Sequence, residues 1–340
     1  MDTLTVVKKS EHIDQRDTTK ETADFIHSFL FGNAGIVRDD QGVRSRLKMT
    51  RSTEGWIGIP HGGIGMGILL ELALHTGANG LDPVYQYPFN VEYRLGGASL
   101  HIGDAVEAAV IRNEDRLSGR ILREGEDEPY LRANIHYGKE GPHKKVQFQD
   151  SLPVRYDDIE NRLLPLPYYR NCFVCGVERE EAGLRRRFYF VDGEVTEKIV
   201  VSLAGFDEDD KQSFNRFQRN EIFHPLPILA LLDETLGLAA FMVSASGGVT
   251  VRIDYTFYRD IRVGERLLFF GRGGKLRGKT PSRMMCWASG GAAVVRDDGT
   301  LEPVVSASGQ WLGVPALTHQ MREALIPAEL NRRAFELAGS

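Results

Sequence analysis

The sequence predicts an α+β protein built from two copies of one domain, each with a helix followed by antiparallel strands. The first copy contains a His-Gly-Gly turn that runs into an apolar helix, and the second copy contains an altered version of this segment. When the copies are aligned on His61 and His224, an offset of 163 residues, Glu71 and Glu234 each fall ten residues after the histidine. Self-similarity over this distance indicates a duplicated domain rather than a short solenoid repeat.

The predicted strands alternate polar and apolar residues, which is the pattern of a sheet with one covered face and one wet face. Short turns that contain Gly or Asp favour antiparallel pairing of these strands. In the first copy, strands are predicted at 35–38, 43–49, 86–94, 105–112, 117–122 and 130–136. In the second copy, they are predicted at 249–258, 266–271, 283–288, 292–296 and 304–312.

Helical segments flank the two copies, and prolines separate them. Residues 18–31 have apolar side chains on one face and are predicted to form a short amphipathic helix, and residues 318–339 are also helical in pattern. The segment 138–170 contains four prolines and cannot be regular throughout. We therefore expect an N-terminal domain at 1–150, a linker at 151–170 and a C-terminal domain with a helical tail at 171–340.

Composition narrows the class of protein. With 340 residues, 42% of them apolar and 26% charged, the chain is long enough for two domains that each bury a core. A net charge of −5 without a long basic run argues against a nucleic-acid surface. No apolar stretch approaches the ~20 residues of a membrane span. Three cysteines and the lack of a signal-peptide pattern favour a cytoplasmic protein.

Glycines crowd the start of the first apolar helix, at positions 62, 63, 65 and 67. Each interior glycine costs ~1 kcal/mol relative to Ala, so we expect another group to approach this backbone closely. The first N–H groups of a helix have no internal partners and lie at the positive end of its dipole, which suits an oxyanion or a polarised carbonyl. The structural alternative is a tight turn that allows a close helix contact.

The second copy has the complementary features. Pro225 and Leu226 replace the two glycines after the histidine, and proline has no N–H to offer. Its helix carries Asp233 and Glu234 within an apolar surface, where carboxylates are costly unless they are paired or protonated. The first copy has Leu70 at the position of Asp233. The first copy therefore has the backbone donors that the second lacks, and the second copy has the Asp that the first lacks.

These motifs resemble the hotdog-fold acyl-CoA thioesterases of the phenylacetate-pathway type. The resemblance rests on the His-Gly-Gly turn, on the acid nine or ten residues after the histidine, and on the Val-Thr-x-x-Ile-x-Tyr strand that starts at Val249. The segment Cys172-Phe-Val-Cys175-Gly176 also looks like the opening segment of many such proteins. The fold implied is a double hotdog, in which two units, each a long helix wrapped by a curved antiparallel sheet, pair within one chain.

The resemblance also implies one composite site for thioester hydrolysis. The amides of Gly62 and Gly63 from the first copy would face Asp233 from the second, with Glu234 as the alternative acid. The Gly63 amide would stabilise charge on the carbonyl oxygen, while Asp233 activates water or attacks the carbonyl itself. His61 is expected to fix the turn.

The reciprocal crossing, which contains Glu71 and His224, departs from the family pattern at both ends. We expect this second site to be catalytically inactive or adapted to binding.

Further residues have candidate roles. Thr250 stands where the family often places a hydroxyl that positions water or acid, although Thr is also common in plain strands. The basic residues Lys275, Arg277 and Lys279 form a loop that could hold CoA phosphates or remain a solvated surface.

No cofactor is expected apart from the CoA of the substrate, and no metal. Cys172 and Cys175 have the spacing of half a zinc site, but no second pair follows, so structural cysteines are expected.

Two other functions stay open. Fused hotdog dehydratases and enoyl hydratases use a His-x-x-x-Gly-x-x-x-x-Pro pattern; here His61 and Gly65 match, but Leu70 occupies the proline position. The third possibility is a non-catalytic protein that binds acyl-CoA. In each case the partner is a small-molecule acyl thioester, linked to CoA or to a carrier protein, and a homodimer of chains would be ordinary for this architecture.

Overall fold

The chain forms two helix-and-sheet units whose sheets join edge to edge. The computed structural model describes residues 18–40, 42–77, 85–96, 99–113, 116–138, 155–193, 198–206, 213–278 and 284–338. Helices lie at Thr18–Phe31, Gly62–Leu74, Asp157–Glu160, Pro225–Ser244, Pro315–Ala324 and Ala328–Ala338. Strands β1 to β17 are Ile36–Asp39, Gly42–Lys48, Glu54–Trp56, Ile59–Pro60, Phe89–Leu95, Ala105–Arg112, Leu117–Arg123, Leu131–Tyr137, Leu163–Pro165, Phe188–Val191, Ile199–Ala204, Gln218–Arg219, Ile222–Phe223, Gly248–Phe257, Leu267–Arg277, Met285–Val295 and Leu301–Gly313.

Thirteen of these strands form one sheet in the order β1-β2-β6-β7-β8-β5-β14-β17-β16-β15-β11-β10-β9, and every neighbouring pair is antiparallel. The two copies meet where β5 pairs with β14, with Tyr93 opposite Ile253 and Val91 opposite Tyr255. The repeated strands of the duplication therefore lie side by side, and each copy contributes one half of a continuous sheet.

The two copies of the predicted central helix lie in contact. We refer to Gly62–Leu74 as the first central helix and to Pro225–Ser244 as the second. A Cβ on Gly63 would lie 2.5 Å from the Cα of Ala230, and one on Gly67 would lie 2.5 Å from Leu226. Two of the glycines that the sequence singled out therefore permit the close helix crossing, which was the structural alternative.

Most predicted elements are confirmed, with two differences in the second copy. The predicted strands 283–288 and 292–296 are one continuous strand, β16, because Gly290 and Gly291 remain in the ladder, where a Cβ would meet neighbouring backbone. Strands β10 and β11 were missed. In addition, the described part of the predicted linker contains a short helix and β9, which extends the sheet of the second copy.

The expectation that no apolar stretch reaches the length of a membrane span was wrong for the second central helix. It is 20 residues long and its most apolar window has a mean hydropathy of 1.8. However, 78% of that window is buried inside the protein, as expected for the core helix of a folded domain. Asp233 and Glu234 lie in the middle of this helix.

Candidate active site

The start of the first central helix meets the middle of the second. A Cβ on Gly62 would lie 2.7 Å from Oδ2 of Asp233, so only glycine leaves room for the carboxylate at this position. His61 precedes the helix, and its Nδ1 accepts the N–H of Gly63 at 3.1 Å. Within the described residues, the N–H of Gly62 has no protein acceptor. The free donor beside the acid therefore belongs to Gly62, whereas the sequence analysis assigned it to Gly63.

Asp233 is held by a hydroxyl from the neighbouring strand. Thr250, on β14, donates to Oδ1 of Asp233 at 2.7 Å. Burial raises the pKa of Asp233, although the nearby His61 and the hydrogen bond from Thr250 both act to lower it. Oδ1 is thus fixed by Thr250, while Oδ2 faces the Gly62 backbone.

Glu234, the alternative acid, lies on the other side of the imidazole. Its Oε2 is 3.4 Å from Nε2 of His61 and 3.3 Å from Sγ of Cys172, whereas Oδ2 of Asp233 is 3.9 Å from Nδ1 of the same ring. Because Nδ1 accepts the Gly63 N–H, the proton of the neutral ring lies on Nε2 and points to Glu234.

Burial disfavours a charged imidazole. The hydrogen bond to Glu234 and the negative groups nearby nevertheless raise the pKa of His61 to about 9. The Gly63 N–H acts against this second proton, because it needs the lone pair of Nδ1.

An apolar cavity of about 230 Å³ opens beside these groups. One end is lined by Gly62, Asp233 and Thr250. The remaining walls are mostly aromatic or aliphatic, and some of their residues lie on the helix Pro315–Ala324 or directly after it. These wall residues are Trp56, Tyr169, Leu238, Phe241, Trp311, Leu317, Met321 and Leu325. Trp56 Nε1 donates to Gln320 Oε1 at 2.8 Å, which ties the Pro315–Ala324 helix to the first copy. The cavity thus combines a few polar groups at one end with an apolar remainder.

The reciprocal crossing is filled by a cation. Glu71 is 1% exposed, and Arg219 binds both of its carboxylate oxygens at 2.6 and 2.9 Å. His224 Nε2 lies 3.1 Å from Glu71 and 3.0 Å from the hydroxyl of Tyr85. Burial alone would raise the pKa of Glu71, but hydrogen bonds from His224 and His75 and the Arg219 guanidinium hold this pKa well below its usual range. The described structure therefore has a closed ion-pair network at this crossing.

The predicted basic loop does not reach the cavity. Lys275 and Arg277 are exposed at the end of β15 and do not line it, and Lys279 lies outside the described residues. Sequence reasoning missed Arg219 and Tyr85, which carry no motif. The Cys-x-x-Cys spacing was a visible signal for Cys172, but its contact with Glu234 was not.

Comparison with solved structures identifies the fold. A proposed thioesterase from Novosphingobium aromaticivorans superposes with a TM-score of 0.51 at 12% identity, over 82% of this chain and 98% of that one. The acyl-CoA thioesterase II TesB2 from Mycobacterium marinum gives a TM-score of 0.45 at 14% identity, over 85% and 98% of the two chains. The dehydratase domain of PpsC from Mycobacterium tuberculosis, in complex with C12:1-CoA, gives 0.49 at 14% identity, over 84% and 98%.

No protein-family model and no curated protein matches the sequence of this chain. At such low identities the structural similarity establishes architecture alone. The expected α+β double hotdog fold is confirmed.

Proposed function

We propose that this protein hydrolyses an acyl thioester at the crossing of its two central helices. One observation carries the proposal: the Thr250-anchored carboxylate of Asp233 lies against the backbone of Gly62 at the polar end of an apolar cavity. A carboxylate and a free helix N-terminal amide at one point are the two groups that attack on a thioester carbonyl requires.

The chemistry follows from these two groups. The thioester carbonyl lies at the polar end of the cavity, and the N–H of Gly62 stabilises the charge that develops on its oxygen. Asp233 takes a proton from a water molecule, whose oxygen bonds to the carbonyl carbon. The carbon–sulfur bond then breaks, and a carboxylic acid and a thiol are released. Thiols have a pKa near ~8.5, so the leaving thiolate needs little acid assistance.

The other polar residues position these groups. Thr250 holds one oxygen of Asp233 and leaves the second oxygen free for water. His61 fixes the start of the first central helix through the Gly63 N–H. Glu234 contacts the far side of the His61 ring, so Asp233 rather than Glu234 is the functional acid of this proposal.

The cavity favours an apolar acyl group of moderate size. An engineered apolar cavity of ~150 Å³ takes one benzene molecule, and at that ratio a cavity of about 230 Å³ holds about nine carbons. Among the described residues that line the cavity, the acids are Asp233 and Glu234, and both lie beside His61. We therefore propose CoA or carrier-protein thioesters of medium-chain or aromatic acids as substrates.

The direct test is thiol release from a panel of acyl-CoA esters, followed with a chromogenic thiol reagent. Asp233→Asn keeps the shape of the side chain but removes the base, and we expect it to lower kcat by at least about 100-fold. Asp157→Asn, at an exposed carboxylate on a short surface helix, is the matched control and should retain wild-type turnover. Unchanged turnover in Asp233→Asn would refute the proposed role of this residue.

Direct attack by Asp233 on the carbonyl is the other route to hydrolysis. This route forms a mixed anhydride that water then cleaves, so a single turnover in ¹⁸O-labelled water can leave the label on Asp233. General-base catalysis places the label in the released acid from the first turnover. Mass spectrometry of the protein and the product after one turnover distinguishes the two routes.

One observation favours enoyl hydration as a second candidate. His61 and Asp233 line the same cavity, and such a pair could act as acid and base on an enoyl thioester. However, Nδ1 of His61 accepts the Gly63 N–H and Nε2 contacts Glu234, so both ring nitrogens are engaged. Loss of enoyl-CoA absorbance without thiol release would favour hydration over hydrolysis.

A further inference from the structure

A largely buried cluster adjoins the acyl cavity at His61, and two of its members, Cys172 and Glu234, have no part in the proposed hydrolysis. It combines donors from both copies: His61 from the first, and Cys172 and Glu234 from the second. The Nε2, Sγ and carboxylate oxygen atoms all lie within 4.8 Å of one another. Cys175 is buried next to this group, and its backbone N–H donates to Sγ of Cys172, but its own thiol is not among the atoms that lie within 4.8 Å of one another. An imidazole, a thiol and a carboxylate therefore converge at one point, with a second thiol beside them.

The turn that carries the two cysteines directs two backbone N–H groups at one sulfur. Sγ of Cys172 accepts the backbone N–H groups of Val174 and Cys175, both at 3.3 Å. The N–H of Gly176 donates to the carbonyl of Cys172 at 3.0 Å, and a Cβ on Gly176 would lie 2.5 Å from that carbonyl oxygen. Successive N–H groups directed at one atom form a concave site for negative charge. Cys-x₂-Cys is also a typical spacing of zinc ligands.

Two of the donor separations match those of a tetrahedral ion. With bonds of ~2.05 Å to nitrogen, ~2.1 Å to oxygen and ~2.3 Å to sulfur, tetrahedral coordination places nitrogen about 3.4 Å and sulfur about 3.6 Å from the oxygen. In this protein, Oε2 of Glu234 lies 3.4 Å from Nε2 of His61 and 3.3 Å from Sγ of Cys172. An ion can therefore enter between Glu234 and these two donors with shifts of a few tenths of an ångström, whereas the thiol of Cys175, which lies outside the 4.8 Å group, has to move farther.

We propose that His61, Cys172 and Glu234 bind a thiophilic divalent cation, with Zn²⁺ as the best fit, and that the thiol of the adjacent Cys175 moves in as the fourth ligand. The set has two sulfurs, one imidazole nitrogen and one carboxylate oxygen, which suits tetrahedral zinc. Four protein ligands close the coordination sphere, so the ion is structural. It ties the opening turn of the second copy to the His-Gly-Gly turn of the first.

Coordination changes the proton position on His61. In the metal-free chain, Nδ1 accepts the N–H of Gly63, and the ring proton lies on Nε2. Zinc at Nε2 requires that the proton move to Nδ1, which ends the hydrogen bond from Gly63. Metal binding thus replaces the hydrogen bond from the Gly63 N–H to His61 with a bond from His61 to the ion, and it leaves the Gly63 amide free near Asp233.

The site is tested on the full chain, stripped with a chelator under reducing conditions and titrated with Co²⁺ and then with Zn²⁺. We expect the visible bands of tetrahedral Co²⁺ together with a thiolate-to-cobalt charge-transfer band, and their loss when Zn²⁺ displaces the cobalt. Failure to bind either ion would overturn the proposal. Binding without the charge-transfer band would do the same, because it would show an adventitious ion on surface groups.

Variants locate the ion. Cys172→Ser and Cys175→Ser should each weaken Zn²⁺ binding by more than about 100-fold, since even partners outside the ligand set cost 10–100-fold. Cys286→Ser is the matched control, because Cys286 is also buried but lies on β16 outside the cluster. Equal affinity in Cys172→Ser and the wild type would exclude the site.

A measurement on the wild-type chain covers the case in which a cysteine variant does not fold. Long-range ¹H–¹⁵N spectra of His61 should show a proton on Nε2 without metal, and no proton on Nε2 but one on Nδ1 with Zn²⁺ bound. A proton that stays on Nε2 after saturation with Zn²⁺ would contradict coordination by this histidine. These readouts do not depend on thioester hydrolysis, so the metal site and the proposed activity can fail separately.

Discussion

Neighbouring glycines at the start of the first central helix allow activity and stability to be separated. Gly62→Ala places a methyl group 2.7 Å from Oδ2 of Asp233, whereas Gly63→Ala places one 2.5 Å from the Cα of Ala230. The first group meets a side-chain carboxylate that can move, and the second meets helix backbone that cannot move alone. We therefore expect Gly62→Ala to lower activity and Gly63→Ala to lower stability.

The size of each effect follows from the contact distances. Ordinary contacts begin at 3.4 Å, so the Asp233 carboxylate must retreat by about 0.7 Å in Gly62→Ala. Misplacement of a catalytic group by ~1 Å can cost 10²-fold, and we expect kcat to fall by about 10- to 100-fold. Helix propensity favours alanine over glycine, so the melting temperature should hold or rise slightly.

Gly63→Ala must separate the two central helices or distort one of them. Overpacking of this kind costs about 1–3 kcal/mol. With an unfolding entropy of ~2.1 cal/mol/K per residue, the whole chain corresponds to about 0.7 kcal/mol/K, so this cost lowers Tm by about 1.5–4 °C. The activity of the folded fraction should fall less than in Gly62→Ala, because Asp233 is not directly displaced.

Both variants are compared with the wild type by calorimetry and by thiol release from the best acyl-CoA substrate. Wild-type kcat in Gly62→Ala would refute the view that the acid acts from its position against this backbone. A larger loss of Tm in Gly62→Ala than in Gly63→Ala would contradict the assignment of Gly63 to the helix contact. Either result can be obtained without the other, so the two claims are tested independently.

Three further predictions concern the anchor of the acid, the acyl cavity and the second crossing. Thr250→Val removes the hydrogen bond to Asp233, which is worth ~1.5–3 kcal/mol for a charged acceptor, and should lower kcat by about 10- to 100-fold. Thr250→Ser keeps the hydroxyl and should retain most of the wild-type kcat. Equal kinetics for the Val and Ser variants would contradict the role of Thr250 as the anchor of Asp233. Met321→Ala removes three heavy atoms from the cavity wall and should lengthen the preferred acyl chain by about three carbons at ~25 Å³ each, as an acyl-CoA series would show.

Arg219→Met leaves buried Glu71 without its main cation and should cost about 3–5 kcal/mol of unfolding free energy at pH 7. In the folded protein these partners lower the pKa of Glu71 below its ordinary value of 4.5. Their contribution to stability is therefore complete above pH 4.5 and is lost as the pH falls towards the pKa of the folded state. The difference in unfolding free energy between Arg219→Met and the wild type, measured by urea unfolding, should thus shrink in acid.

The sequence contained enough information for the architecture. Hydrophobic alternation located most strands, and alignment of His61 with His224 predicted the two central helices. The pairing of the two copies was expected from the resemblance to the hotdog-fold family. The missed strands β10 and β11 read as apolar runs, Phe188–Val191 and Ile199–Ala204, because both faces are largely covered and alternation is lost. Strands with one exposed face were therefore predicted from the sequence, whereas these two strands, covered on both faces, were missed.

The site was only partly predictable, because contacts between distant segments leave no local pattern. The crossing of Asp233 with the His-Gly-Gly turn and the position of Thr250 were both expected from the resemblance to the hotdog-fold thioesterases. Arg219 lies on a two-residue strand with no distinguishing neighbours, yet it fills the second crossing. The Cys172 contact needs the fold of both copies, because its partners His61 and Glu234 come from different halves of the chain.

Duplication within one chain explains why the two crossings differ. In a symmetric dimer, a change in the turn or in the acid would appear at both sites at once. Here the first copy keeps the glycine turn while its acid, Glu71, is neutralised by Arg219, and the second copy keeps Asp233 while its turn carries Pro225. The closed crossing still contributes a buried, fully paired contact between the helices. The open crossing holds Asp233 near Gly62 with only the Thr250 hydroxyl and the more distant His61 as partners, while the other crossing supplies the fully paired contact.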